Sequence, residues 1–229
     1  MVVTQNIVME KRIVSKKYKR AFLTGCDETT EWMLPWFVEN YKKHNDTPIV
    51  FANFGISDEM YSFVEKNFHA VMKFKNNEEL KGWFMKPLAM ATCPIIETVW
   101  IDTDCEVLTD ISDIFDLIKT EKLLMAEDKP WTKRRQEIWH NSGVVGFRNK
   151  PQILRAWLEQ VKTLPIVGDQ EVLHTMLNPI TRMTYIEDLP QEYNCLRLEI
   201  EDGIDIPNKK IIHWTGQIGK DHIRSLMDG

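Results

Sequence analysis

The sequence predicts a single α/β domain with a mostly parallel central sheet flanked by helices. Three observations carry that prediction. Short apolar runs of strand character alternate with stretches of helical spacing, the pattern of right-handed βαβ units. One run, Thr98-Val99-Trp100-Ile101, ends abruptly in Asp102-Thr103-Asp104, two carboxylates spaced i, i+2 where an open parallel sheet gathers its ligands. The chain has 229 residues, 43% of them hydrophobic, enough to bury one sizeable core, with no internal repeat and no low-complexity linker.

In chain order, residues 1–20 read as a basic tail, with Lys11, Arg12, Lys16, Lys17, Lys19 and Arg20 as a solvated run, and residues 21–229 as the domain. Ala21-Phe22-Leu23-Thr24 is a predicted strand, Gly25-Cys26-Asp27 its turn, and an aromatic helix follows through Trp32, Trp36, Phe37 and Tyr41. Pro48–Ala52 is the second strand, Ser57 caps a helix holding Met60, Val64 and Phe68, and Ala70–Phe74 is the third strand. A helix from about Glu78 to Thr92, bent near Pro87, leads into the strand that ends at Asp102. Beyond it, Leu123–Ala126 and Ser142–Phe147 are predicted strands with a charged stretch from Glu127 to Glu137 between them. Asn149 is expected to cap a helix with Pro151 in its first turn and Leu154, Trp157, Leu158 and Val161 on one face. A second helix opens at Gly168-Asp169-Gln170, and late strands are expected at Met183–Ile186 and Lys210–His213.

Composition excludes some classes of function. A net charge of −5 argues against a nucleic-acid binder, which normally carries a basic field. The four cysteines, Cys26, Cys93, Cys105 and Cys195, have neither C-x-x-C nor zinc spacing and read as reduced core thiols. No apolar run approaches a membrane span and no signal peptide opens the chain, so a cytoplasmic location without an integral membrane segment is expected.

The chemistry is concentrated in a few polar residues that interrupt apolar structure, because burying them unpaired is costly. Asp102 and Asp104 can converge through oxygen on one hard cation, against the plainer reading of a polar turn. Taken singly, Asn141 reads as a turn residue, Asp169 as a helix cap and His213 as a satisfied structural histidine. As an ordered set these residues say more. Thr24 and Asp27 follow the first strand and Lys86 precedes the acidic one; then come Asp102-Thr103-Asp104, Asn141-Ser142-Gly143, Gly168-Asp169-Gln170, Leu189-Pro190 with Tyr193-Asn194, and His213 with Gly216 and Lys220.

That order, from about Ala21 to Lys220, resembles the GT-A-fold glycosyltransferases of the glycogenin and lipopolysaccharide galactosyltransferase type, the retaining family 8 group. The resemblance implies a GT-A, Rossmann-like domain and transfer of a sugar from a UDP-sugar to a glycan or glycoprotein acceptor. It implies Asp102, Asp104 and His213 as ligands of Mn²⁺, or alternatively Mg²⁺, on the donor diphosphate. Thr24, Gly25 and Asp27 would form the uridine edge. Thr103 belongs to the same donor site, Lys86 would contact the sugar or phosphate side, and Gly216 with Lys220 would close over the diphosphate. Asn141, Asp169 and Gln170 would line the reaction centre with Lys86, and front-face retention is the expected course. Two departures stand out. Lys220 comes one residue later than the family's lysine, with Gly219 in the expected place. The stretch between Asp104 and Asn141 is also compact, so the acceptor-binding part would be either reduced or supplied by a further domain of a longer chain. The competing readings are a haloacid-dehalogenase-type phosphatase, which also uses D-x-D, and a nucleotide-sugar-binding domain without turnover. Against the phosphatase stand the mid-chain position of the motif and Glu106 after it.

Overall fold

The computed structural model describes residues 7–8, 18–74, 80, 82–164 and 168–229. β1 (Ile7–Val8) is a short edge strand, and β2 (Arg20–Cys26) begins the parallel sheet. Two crossovers follow: α1 (Leu34–His44) to β3 (Ile49–Asn53), and α2 (Asp58–Asn67) to β4 (Ala70–Phe74). α3 (Met85–Thr92) then leads to β5 (Glu97–Ile101), which pairs in parallel with the free side of β2. The chain continues through β6 (Cys105–Val107), β7 (Leu123–Glu127), α4 (Lys129–Arg135), β8 (His140–Arg148), α5 (Gln152–Val161) and α6 (Asp169–Met176). It ends with α7 (Pro179–Tyr185), β9 (Ile186–Asp188), β10 (Cys195–Leu196), α8 (Arg197–Glu201), β11 (Ile211–His213) and α9 (Gly216–Met227).

Eight strands make the central sheet in the order β1-β4-β3-β2-β5-β8-β7-β9, and a small sheet has the order β10-β11-β6. β4, β3, β2 and β5 run in parallel, whereas β8 lies antiparallel between β5 and β7. The central strands are apolar on both faces because both are covered. Ala21 and Leu23 of β2 enter one core with Trp100, Phe147 and Trp157, and Phe22 enters the opposite core with Phe37, Phe51 and Ile101. α5 contributes Ile153, Leu154, Trp157, Leu158 and Val161 to the first core, each stabilising by roughly 1.5–3 kcal/mol through burial.

The structure corrects several expectations. Ile7–Val8 pairs antiparallel with Phe74 and Lys73, and Arg20 opens β2 with its guanidinium 2.6 Å from Glu97, so these residues belong to the sheet and not to a tail. Lys11, Arg12, Lys16 and Lys17 lie outside the described residues, as do Glu78 and Glu79. α3 starts at Met85, which puts Pro87 in the first turn, where a helix lacks N–H partners anyway and no bend is needed. Pro151, not Asn149, precedes α5 as its N-cap; Asn149 and Lys150 adopt left-handed φ of 53° in the turn before it. Met183–Tyr185 are helical because Asn178 caps α7, accepting from the Thr181 N–H, with Pro179 in the first turn; only Ile186–Asp188 remain extended. His140 and Asn141 lie within β8 instead of before it. Within the stretch from Glu127 to Glu137, Lys129–Arg135 fold as α4, capped by Asp128. The four cysteines are buried and unpaired. Among the described residues no helix is long and apolar enough to cross a membrane.

Candidate active site

The site is assembled where β5 ends. The Asp102 N–H donates to the Gly143 carbonyl of β8 (2.8 Å), and the Cys105 N–H donates back to Asp102 (3.1 Å), so the acidic turn is tied to the sheet by its backbone. β6 then pairs antiparallel with β11 in a register that sets His213 opposite Cys105, and the Trp214 N–H donates to the Asp104 carbonyl (3.0 Å). That register delivers the imidazole. His213 Nε2 is 3.2 Å from Asp104 Oδ1 and 3.9 Å from Asp102 Oδ2. His213 Nδ1 is 3.0 Å from Asn141 Oδ1, and Asn141 spends its amide group on Asp128 and Gln170. Nδ1 is therefore the donor, and Nε2 is aimed at the carboxylates. A Cβ at Gly143 would overlap the His213 ring, so glycine is what lets the imidazole lie against β8.

Lys86, in the first turn of α3, is 3% exposed and holds the other side of the turn. Its Nζ lies 3.0 Å from Asp102 and 3.3 Å from Asp169 Oδ2, and donates to the Ser142 carbonyl at 3.2 Å. Burial works against this charge, but Asp102 and Asp169 outweigh it and raise the lysine pKa, so the ammonium is fixed. Trp100 Nε1 donates to Asp102 Oδ1 (2.6 Å). Asp128, 3% exposed, accepts from Asn141, from Gln170 (2.9 Å) and from the Trp131 N–H, and Asn194 donates to Asn141 Oδ1 (2.9 Å). The result is a continuous polar network from α6 to β11.

Two basins meet at the Lys86–Asp102 pair. The first is lined by Gly25, Cys26, Asp27 and Phe54 at one end and by Thr103, Asp104 and Lys220 at the other. The second is lined by Asp128, Trp131, Asn141, Asp169, Gln170 and His213. Trp83, 54% exposed, borders both.

The donor set suits a divalent cation. Among the described residues Lys86 pairs with Asp102 and Asp169, Lys220 acts on Asp104, and Asp128 has no cationic partner, so the carboxylates outnumber the lysines at the junction when His213 is neutral. Burial opposes the charge of Asp104, but His213 and Lys220 hold its pKa below the usual carboxylate value. Burial raises Asp102, partly offset by Lys86, and disfavours the imidazolium of His213, which Asp104 nonetheless stabilises so that its pKa is raised. The Cys105 sulfur lies within 4.8 Å of Asp104 and His213 ligand atoms. Burial, reinforced by the neighbouring Asp104 and Asp102, pushes that thiol pKa well up, and a protonated thiol does not compete for a hard cation.

The sequence-predicted residues are only partly brought together. Lys86, Asp102, Thr103, Asp104, Asn141, Asp169, Gln170, His213 and Lys220 line the two basins. Thr24 is fully buried in β2 and lines neither, so the first-strand contribution falls to Gly25, Cys26 and Asp27. Gly216 opens α9 at φ 73° and also lines neither; it sets the turn that aims the helix. A Cβ at Gly219 would overlap the Trp214 carbonyl, so that position admits no lysine, and the charge stands at Lys220. Asp169 is not its helix's cap; Gly168 is. The sequence carries no local signal for Trp83 or Trp131, whereas Asp128 follows a strand as Asp102 does.

A search of protein-family models and one of curated proteins gave no match. Solved structures do match. The glycosyltransferase GlyE of Streptococcus pneumoniae TIGR4 superposes with a TM-score of 0.68 at 19% identity, over 87% of this chain and 55% of that one. The galactosyltransferase LgtC, in complex with donor and acceptor sugar analogs, gives 0.65 at 13% identity over 91% and 95%. The chain has a GT-A fold. A glycosyltransferase involved in glycosylating the major capsid of PBCV-1 matches the same fold at 12% identity and a TM-score of 0.58, over 90% of this chain and 98% of that one. This GT-A domain thus spans about half the GlyE chain and nearly all of LgtC. Within it, the acidic turn and the two basins lie at the carboxyl edge of the parallel strands.

Proposed function

We propose that the chain transfers a sugar from a UDP-sugar to a glycan or protein acceptor, with a divalent cation, Mn²⁺ or Mg²⁺, and with retention of anomeric configuration. One observation carries the reading: Asp104 and His213 converge with Asp102 at the junction of two basins, beside a buried ammonium. The first basin would take the uridine diphosphate and the second the sugar with its acceptor. Asp104, His213 and Asp102 would hold the cation, which when bound neutralises charge on a departing diphosphate. Lys86 adds fixed positive charge at the same junction, already paid for by its two carboxylates and needing no reorganisation during reaction. Asp169 and Gln170 line the sugar side; Gln170 is oriented by Asp128, and its Oε1 accepts from Asn141 and the Ser142 N–H. Asp128 accepts from three donors, and Asp169 is ion-paired to Lys86 although its Oδ2 has no hydrogen-bond partner among the described residues; front-face transfer is the proposed course, with a covalent intermediate on a carboxylate nucleophile as the alternative. The phosphatase alternative has no support, since the matching folds named above are glycosyltransferases and Glu106 is turned to Trp214 Nε1 (2.9 Å).

The test is hydrolysis of a panel of UDP-sugars without acceptor. Mn²⁺ should support turnover and Asp104→Asn should abolish it with the fold intact. Full activity in excess EDTA, or tighter Mn²⁺-dependent binding of GDP than of UDP, would overturn the reading; binding without turnover would leave a nucleotide-sugar-binding domain. NMR of the product anomer decides the stereochemistry.

A further inference from the structure

We propose that α4 selects an anionic saccharide as acceptor, meeting its charge chiefly with Arg134 and Arg135 beside the Trp131 ring that lines the sugar basin; the proposal rests on the glycosyl-transfer reading above. α4 is the wall of that basin. Asp128 caps it by accepting from the Trp131 N–H, which fixes Trp131 beside Asp169 and Gln170. The indole is braced: it stacks on Trp139 with centroids 5.3 Å apart, and Trp139 stacks on His174 at 3.5 Å. A wall held this way loses little freedom when a ligand settles against it.

The next three residues but one are cationic and exposed, Lys133, Arg134 and Arg135, in a chain whose net charge is −5. None of the three has a carboxylate partner among the described residues. Of the acids around the helix, Glu137 pairs with Arg182 (3.3 Å) and Glu201 with Arg197 (2.6 Å), while Glu171 lines the same basin as Trp131. The guanidinium carbons of Arg134 and Arg135 lie 5.8 and 5.0 Å from the Trp131 ring centroid, and that of Arg135 also lies 5.8 Å from the Trp139 centroid, so both guanidinium groups stand beside the ring that lines the basin. Cations in a last turn also complement the helix dipole. Placing guanidinium groups over a ring that lines the basin goes further, because it sets forked donors where a carboxylate or phosphate on a bound sugar would arrive. A neutral acceptor would gain nothing from this field, whereas an anionic one is both steered and held by it.

The probes are methyl glucoside, methyl glucuronide and glucose 6-phosphate, titrated calorimetrically into the chain with UDP and Mn²⁺ present. At low salt the two anions should bind at least about tenfold more tightly than methyl glucoside, and added salt should erase the difference. Lys133→Glu, Arg134→Glu and Arg135→Glu together should remove that preference and leave acceptor-free UDP-sugar hydrolysis at the wild-type rate. The milder triple change to Gln should lie between, which guards against misfolding of the first variant. The stronger of the two anions identifies uronate or phosphate as the source of charge. Equal binding of charged and neutral probes, or an anion preference unmoved by either triple variant, would overturn the proposal. Absence of hydrolysis with every UDP-sugar would instead defeat the glycosyl-transfer reading, while the titrations would still decide the role of α4.

Discussion

A side chain at Gly143 would overlap the His213 ring, so the imidazole reaches Asp104 only because β8 carries a hydrogen there. Gly143→Ala is expected to push the ring away and weaken Mn²⁺ binding by on the order of tenfold or more, comparable to loss of a supporting contact. Circular dichroism should stay unchanged, and unaltered metal affinity would show that His213 is no ligand. His213 also sets a pH dependence. Burial lowers its pKa, but Asp104 and then Asp102 outweigh that and raise it, so in the metal-free chain the imidazolium persists to higher pH than in a free imidazole. A cation must then displace that proton. Mn²⁺ affinity is therefore expected to fall as pH drops through the raised imidazole pKa and to level off above it. Titrations in buffers of different ionisation enthalpy should count about one proton released on the acid side and fewer above. His213→Gln should flatten the profile, and a flat wild-type profile would refute the argument. Asp102 and Asp104 were legible in the sequence as a pair of acids ending an apolar run. The need for glycine at 143 was not, because the ring that demands it arrives from β11.

α6 shows how a segment can be located correctly and its residues misjudged. The helix begins where Gly168-Asp169-Gln170 indicates, but Gly168 takes the cap, and Asp169 turns its carboxylate to Lys86 of α3 (3.3 Å). Capping therefore cannot excuse Asp169→Asn. That change should lower kcat on the order of 100-fold, since it frees half of the pairing that holds Lys86, and should move the Kd for UDP by less than about threefold. Gln170→Ala should follow the same split. Parallel losses in kcat and UDP affinity would mean that both act in donor binding instead. The error at α7 has a similar origin. Met183–Tyr185 look β-prone by composition, but the Asn178-Pro179 start signal and the packing that follows override that preference.

Across the molecule, two cores on opposite faces of one sheet are tied to the site by few links, and Trp157 is one of them. It is fully buried in the core under α5, and its Nε1 donates to the Asp169 carbonyl (2.9 Å). Trp157→Ala should destabilise by about 3–5 kcal/mol, a Tm drop on the order of 10 °C for a chain of this size. Trp157→Phe, which keeps most of the volume but loses the donor, should cost much less stability. It should still lower kcat if the position of α6 matters; a Trp157→Phe variant with unchanged kcat would show that it does not. The antiparallel insertion of β8 has wider reach. It places Asn141, Ser142 and Gly143 beside the end of β5, and supplies the antiparallel part of the mostly parallel sheet.

By itself the sequence determined the alternation of β2 to β5 with their helices, the double-sided apolar strands and the acidic turn after Ile101, because these follow from local periodicity and from the cost of burying unpaired charge. Only the tertiary structure decided that His213 stands opposite Cys105, that Lys86 bridges Asp102 and Asp169, and that Thr24 is withdrawn from the cleft while Asp128 enters the network. The reason is physical. Strand register, crossover packing and the sharing of one buried cation between two acids are set by contacts between segments far apart in the chain, and no local pattern encodes them.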